Sequence, residues 1–134
     1  MSLIVWDETY SVNNPEIDDQ HKTWIDITNE LHDALMNADL KRLTETAEKD
    51  LTEMRDYTRY HFMAEEAFMQ AADYPDFPAH KQIHDKFYIH IKDMCTDIEE
   101  GKLVLTTDIM KTLKKWLQNH ILTEDRKFRE FRVA

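Results

Sequence analysis

Apolar side chains recur every three or four residues along four stretches of the chain, the spacing of an amphipathic helix. The stretches cover about residues 18–37, 40–72, 79–100 and 107–129. Their apolar stripes include Trp24, Leu31 and Leu35; Leu43, Leu51 and Met54; Phe87, Ile91 and Met94; and Ile109, Leu113 and Leu117. Short connections between four such helices predict an all-α, up-down-up-down four-helix bundle.

Polar and helix-breaking residues mark the ends of the four stretches. The expected N-caps are Asp18 or Asp19 for the first helix, Asp39 for the second, and Thr106 or Thr107 for the fourth. The segment Tyr74-Pro75-Asp76-Phe77-Pro78 separates the second helix from the third. Gly101 is expected at the C′ position of the third helix.

The first 17 residues lack the helical period. Pro15 and the asparagines before it interrupt a helix, whereas Val5, Trp6 and Tyr10 could pack against one. No repeat or low-complexity tract divides the chain. We therefore expect a single domain over residues 1–134, with an extended N-terminal arm at 1–17 and the bundle at 18–130.

The composition of the chain disfavours several classes of partner and several cellular locations. One glycine, three prolines and 33% charged residues favour long helices. A net charge of −10 disfavours nucleic acid and anionic membranes as partners. No apolar run approaches the ~20 residues of a membrane span, and no secretory signal precedes the first helix. The one cysteine, Cys95, is expected to be buried and inert. We expect a soluble cytoplasmic protein whose protein partner is unknown.

Five of the seven histidines stand in patterns typical of metal ligands. These patterns are His21 alone, His61-x-x-x-Glu65, His80-x-x-x-His84 and His120-x-x-x-x-Asp125. Side chains four apart on a helix share a face, with Cβ atoms about 5–6 Å apart. In an antiparallel bundle these residues all fall at the same end, and they replace apolar residues in the core stripes. The sequence therefore predicts one buried metal site.

A lone stripe histidine is usually a core imidazole bonded to the backbone, but that interpretation fails for seven polar groups together. Each buried polar group without a partner costs about 1–3 kcal/mol. Seven ligands exceed the need of one ion, so two are expected, and imidazoles with carboxylates suit first-row metals rather than Mg²⁺ or Ca²⁺. His32 and His90 lie outside the pattern, and Glu66 is expected to face solvent because Glu65 shares the stripe of His61.

These motifs together resemble the hemerythrins, specifically the bacterial hemerythrin-like domains. The resemblance runs nearly from end to end. It is carried by Val5-Trp6-Asp7-Glu8, Ile17-Asp18-Asp19-Gln20-His21, His61-Phe62-Met63-Ala64-Glu65-Glu66, His80-Lys81-Gln82-Ile83-His84 and His120-Ile121-Leu122-Thr123-Glu124-Asp125.

The resemblance implies two iron ions (Fe²⁺/Fe³⁺) joined by an oxo or hydroxo bridge, and reversible binding of dioxygen. It implies that His80, His84 and His120 hold one iron, that His21 and His61 hold the other, and that Glu65 and Asp125 bridge them. An apolar pocket for dioxygen is expected near the two-histidine iron. Its candidate walls are Trp24, Phe62, Trp116 and Leu117.

Spacing and resemblance disagree on the acid that follows His120. At ~100° per residue, His120 and Asp125 do not share a face of a regular helix, and spacing alone nominates Glu124. The family pattern nominates Asp125, whose short side chain suits a bridge close to the backbone. We expect Asp125, which requires a backbone adjustment between residues 120 and 125, such as a π-bulge.

The leading function is reversible dioxygen binding, as a carrier, store or supply, without enzymatic turnover. Neutral imidazoles favour ferrous iron, whereas ferritin-like oxidases use four glutamates and two histidines. The alternative is an O₂ or redox sensor that signals through a partner or a missing output domain, with the N-terminal arm as its moving part. A di-iron peroxidase or iron oxidase is a third possibility.

Overall fold

The structure, a computed structural model, describes residues 4–37, 40–102 and 106–133. In this part of the chain four long antiparallel helices form the predicted all-α, up-down-up-down bundle. A short 3₁₀ turn, Glu8–Tyr10, precedes α1. The helices are α1 (Pro15–Asn37), α2 (Leu40–Ala71), α3 (Phe77–Glu99), and a fourth made of α4 (Thr107–Asn119), a π-helical segment (His120–Asp125) and α5 (Arg126–Val133).

Helix α1 begins three residues earlier than the sequence predicted, so the expectation of an Asp18 or Asp19 cap is wrong. The side chain of Asn14 accepts hydrogen bonds from the backbone of Glu16 at 3.1 Å and of Ile17 at 3.3 Å. Pro15 then stands first in the helix, where its missing N–H costs nothing and its φ suits the turn. The N-terminal arm accordingly ends before residue 15.

Two other predicted helix ends are confirmed. Thr106 caps α4, since its hydroxyl accepts from the backbone N–H of Ile109 at 3.2 Å. Gly101 ends α3 with φ of +72°, a left-handed conformation that glycine adopts without steric cost. The predicted cap Asp39 lies outside the described residues.

The fourth helix contains a wide turn between α4 and α5, which holds one residue more than an α-helical turn. The backbone from His120 to Asp125 is π-helical, and His120, Ile121 and Asp125 are buried. A π turn places residues five apart above one another, where an α-helix would align residues four apart. His120 and Asp125 therefore face the same way, and the predicted backbone adjustment is confirmed.

The N-terminal arm is tied to the bundle at both ends. The side chain of Asn29 accepts from the backbone N–H of Ile4 and donates to its carbonyl, both at 2.8 Å. Farther along the arm, Arg126 donates to the carbonyl of Thr9 at 3.3 Å and Arg129 donates to that of Ser11 at 3.1 Å. The arm thus links α1 to α5.

The described apolar core consists of a small cluster, Met69, Tyr74 and Phe128, and a large one that packs between the four helices. The large cluster contains, among others, Leu31, Leu51, Met54, Ile91, Leu113 and the buried thiol Cys95. His90 is exposed and His32 lies at the boundary of the core. In the described part of the chain, no helix combines the length and the low polarity that crossing a bilayer requires.

Candidate metal centre

All seven predicted ligands converge in one buried layer. The five imidazoles and two carboxylates are each at most 3% exposed. They form two groups that share their acids, and the ligand atoms within each group lie within 4.8 Å of one another. The first group is Glu65, His80, His84, His120 and Asp125; the second is His21, His61, Glu65 and Asp125.

The five imidazoles present their Nε2 atoms to the two carboxylates. Glu65 reaches His21 at 3.5 Å, His61 at 3.4 Å, His80 at 2.9 Å and His84 at 3.2 Å. Asp125 reaches His21 at 3.1 Å, His80 at 3.1 Å and His120 at 3.2 Å. Each carboxylate therefore contacts imidazoles of both groups, which is the placement required of a bridging ligand.

The spacing of the ligand atoms fits bound cations better than it fits hydrogen bonding. The Nε2 atoms of His84 and His120 are 3.0 Å apart. Two nitrogen ligands bound at about 2.1 Å and at right angles on one ion would stand about 3 Å apart. Several buried atoms, among them Nε2 of His61 and both oxygens of Asp125, make no directed hydrogen bond. Because such orphans are costly, cations are the natural partners of these atoms.

Electrostatics within the layer keep its acids ionised. Burial opposes protonation of His21 and His80, but contacts with Asp125 and Glu65 prevail and raise their pKa values to about 9 and about 10. Despite burial, imidazole contacts hold the pKa values of Glu65 and Asp125 below their usual ranges. Burial, with repulsion from His21, lowers the pKa of His61 to about 3. The carboxylates are thus anionic and His61 neutral, the forms that donate electron pairs to metals.

Two polar side chains that were not predicted to belong to the site form hydrogen bonds with the Nδ1 atoms of candidate ligand imidazoles. Nδ1 of His61 donates to Oε1 of the buried Gln20 at 2.9 Å, and Nδ1 of His84 donates to Oε2 of Glu66 at 2.9 Å. These bonds fix the tautomer in which Nε2 carries the inward lone pair. The expectation that Glu66 faces solvent is wrong, because α3 brings His84 against it.

Aromatic rings enclose the layer on the side of the core. Phe62 stacks on His84 with centroids 3.7 Å apart, and Trp116 stacks on His120 at 4.7 Å. The Trp24 ring lies 5.1 Å from that of His61, and its Nε1–H donates to Oγ1 of Thr58 at 3.0 Å. The stacking restricts rotation of the ligand rings. Leu117, the fourth predicted pocket residue, is fully buried in the core.

Comparison with known proteins identifies this arrangement. The family model described as "Hemerythrin HHE cation binding domain" matches residues 13–131. The chain belongs to the hemerythrin family. It is 34% identical over 127 residues to a "Bacteriohemerythrin" of Methylococcus capsulatus, covering 94% of each chain. It is 33% identical over 125 residues to a "Bacteriohemerythrin" of Pseudomonas aeruginosa, covering 93% of this chain and 78% of that protein.

Solved hemerythrin structures share the fold. A wild-type hemerythrin crystal structure superposes with a TM-score of 0.90 at 32% identity, covering 99% of this chain and 100% of the other. As a hemerythrin, this chain is a dioxygen-binding domain whose cofactor is a di-iron centre. The buried layer of His, Glu and Asp side chains is the part of the chain that could hold that cofactor.

Proposed function

We propose that His80, His84 and His120 hold one iron, that His21 and His61 hold the other, and that Glu65 and Asp125 bridge them. The observation that carries this assignment is the division of the buried layer into two groups that share these two acids. On a six-coordinate ion, three imidazoles and two carboxylate oxygens would leave one position, which a solvent-derived bridge would take. The group with two histidines offers one protein ligand fewer and would therefore leave a position open to dioxygen.

The layer serves reversible dioxygen binding, as a carrier, store or supply. When bound, the di-iron centre would supply the electrons that dioxygen requires, and the side chains around it would control what else reaches the metal. Trp24, Phe62, Trp116 and Leu117 offer an apolar wall that disfavours water and anions, which would promote oxidation of the irons. The Trp24 N–H is engaged by Thr58, so this ring offers the site no additional proton donor.

Metal analysis and an optical spectrum test this function together. Protein produced in iron-replete medium should contain about two irons per chain and little zinc. The spectrum should change when the anaerobic protein is aerated and should return when oxygen is removed. A single tightly bound zinc, or a spectrum that aeration leaves unchanged, would refute the assignment.

A sensor is the second candidate, and the arm favours it. Arg126 directly follows Asp125 and donates to the carbonyl of Thr9, so the arm is attached one residue from a proposed bridging ligand. The rate of autoxidation separates the roles, since it should be slow in a carrier and fast in a sensor. Rapid turnover of added peroxide would instead indicate an enzyme.

A further inference from the structure

The hydrogen bonds behind His61 and His84 have the same length but different acceptors. His61 donates to a neutral amide, that of Gln20, whereas His84 donates to the carboxylate of Glu66; both distances are 2.9 Å. The proposed function places His84 with the three-histidine iron and His61 with the two-histidine iron. Each half of the centre therefore has one imidazole whose Nδ1–H is hydrogen-bonded, and the acceptor is anionic in one half and neutral in the other.

This difference in charge has a direct electronic consequence. An anionic acceptor strengthens the bond from Nδ1–H and raises the electron-donating power of Nε2. A neutral amide fixes the same orientation with a smaller effect. A metal bound to His84 is therefore stabilised in its oxidised state more than a metal bound to His61.

The surroundings of the two acceptors suit their charges. The Glu66 side chain is 15% exposed, and its Oε1 lies 3.8 Å from the ammonium of Lys81, so its charge is partly balanced. Gln20 is only 6% exposed. A carboxylate at that position would carry a poorly solvated charge, which the amide avoids.

We propose that Glu66 and Gln20 are positioning residues that make the two halves of the centre electronically unequal. Glu66 makes a metal in the half that contains His84 easier to oxidise. Gln20 leaves a metal in the half that contains His61 harder to oxidise. This inference rests on the ligand assignment of the proposed function. It goes further by assigning a redox role to two side chains that do not contact the metals.

Two isosteric substitutions test the inference because each keeps the hydrogen bond and changes only the charge. Glu66→Gln should raise the midpoint potential measured by anaerobic spectroelectrochemical titration, and Gln20→Glu should lower it. A hydrogen bond to an ionised acceptor is roughly twice as strong as one to a neutral acceptor, so the substitutions change the strength of the bond without removing it. We expect about a tenfold change in the ferric-to-ferrous ratio at the wild-type midpoint, equivalent to 59 mV for one electron.

Glu124→Gln is the matched control. Glu124, like Glu66, adjoins a proposed bridging acid in sequence, but its carboxylate bonds Lys127 at 3.3 Å instead of an imidazole. The control should change the ratio less than about threefold. Lys81→Gln, which removes the cation beside Glu66, should shift the potential in the same direction as Gln20→Glu.

The possible results separate the two levels of the proposal. A wild-type protein that binds two irons and dioxygen, with a Glu66→Gln shift no larger than that of Glu124→Gln, would refute the redox role and leave the function standing. Shifts of the same sign in Glu66→Gln and Gln20→Glu would also refute it, because they would reflect disturbed packing. A wild-type protein without iron would overturn the function and this inference together.

Discussion

The hydrogen bond between Trp24 and Thr58 offers a quantitative test of how the wall beside His61 is held. Both residues are fully buried, and Nε1 of Trp24 donates to Oγ1 of Thr58 at 3.0 Å. Thr58→Val keeps a similar shape but removes the acceptor, and no solvent reaches the N–H to replace it. A buried donor without a partner costs about 1–3 kcal/mol.

The size of the expected effect makes it easy to measure. For a chain of 134 residues, each kcal/mol lowers Tm by about 3.5 °C, so Thr58→Val should lower Tm by about 4–11 °C. Thermal unfolding followed by circular dichroism, at equal iron content, measures this change. The indole N–H signal of Trp24 in ¹H–¹⁵N spectra should move at the same time.

Thr28→Val is the control, at a threonine one helical turn after Trp24 on the same helix. Thr28 is also fully buried, but its hydroxyl donates to the backbone carbonyl of Trp24 at 2.9 Å, which already accepts a helical hydrogen bond. Its loss should cost less than about 1 kcal/mol. If the two variants unfold within about 1 °C of each other, the indole hydrogen bond does not hold the wall.

Three further predictions concern other features. Asp125→Ala should release iron while Glu124→Ala retains it, as measured by metal analysis, and equal retention would show that the wrong acid was assigned. Gly101→Ala should destabilise the protein by about 1–2 kcal/mol in urea unfolding, wholly from φ of +72°, because an added Cβ would meet no atom within 4 Å; an unchanged midpoint would contradict this. Asn29→Ala should speed hydrogen exchange at the amide of Ile4 about tenfold without loss of iron, and unchanged exchange would mean that other contacts hold the arm.

The helices and the layer of candidate ligands could be predicted because both follow from spacing along single helices. The pairs His61 with Glu65 and His80 with His84 need only the four-residue period. The convergence of all four helices needs only antiparallel packing. The site of the π segment needed the family resemblance as well, because spacing alone favours Glu124, and only the choice of Asp125 requires a departure from a regular helix.

The role of Glu66 could not be predicted from its own helix. One residue beyond Glu65, it points about 100° away from the stripe, and its partner His84 belongs to α3. Gln20 carried a clearer signal, since it lies three residues after Ile17 and four before Trp24, within the buried face of α1. A polar residue at such a position indicates a partner inside the bundle.

The N-cap of α1 differs from the prediction for a local reason. Asp18 and Asp19 are of a residue type favoured at N-caps, whereas Pro15 interrupts a helix interior. Proline is barred from helix interiors but favoured at the first position, and Asn14 has the side chain to cap such a start. The carboxylate of Asp18 instead accepts from the backbone of Val12 at 2.8 Å, which fastens the arm.

The wide turn between His120 and Asp125 has a consequence for how this chain can change in evolution. The extra residue rotates everything after it relative to a regular helix of the same sequence, and that part carries Arg126 and Arg129, which bind the arm to α5. Deleting one residue there, such as the exposed Thr123, would place Asp125 four residues after His120, where a regular α-helix aligns the two side chains. The shortened segment would then form an ordinary α-helical turn, with the carboxylate of Asp125 still in its layer and the two arginines still facing the arm. The π turn therefore takes up one residue of chain length, and the ligand layer and the arm can both keep their places if the chain loses that residue.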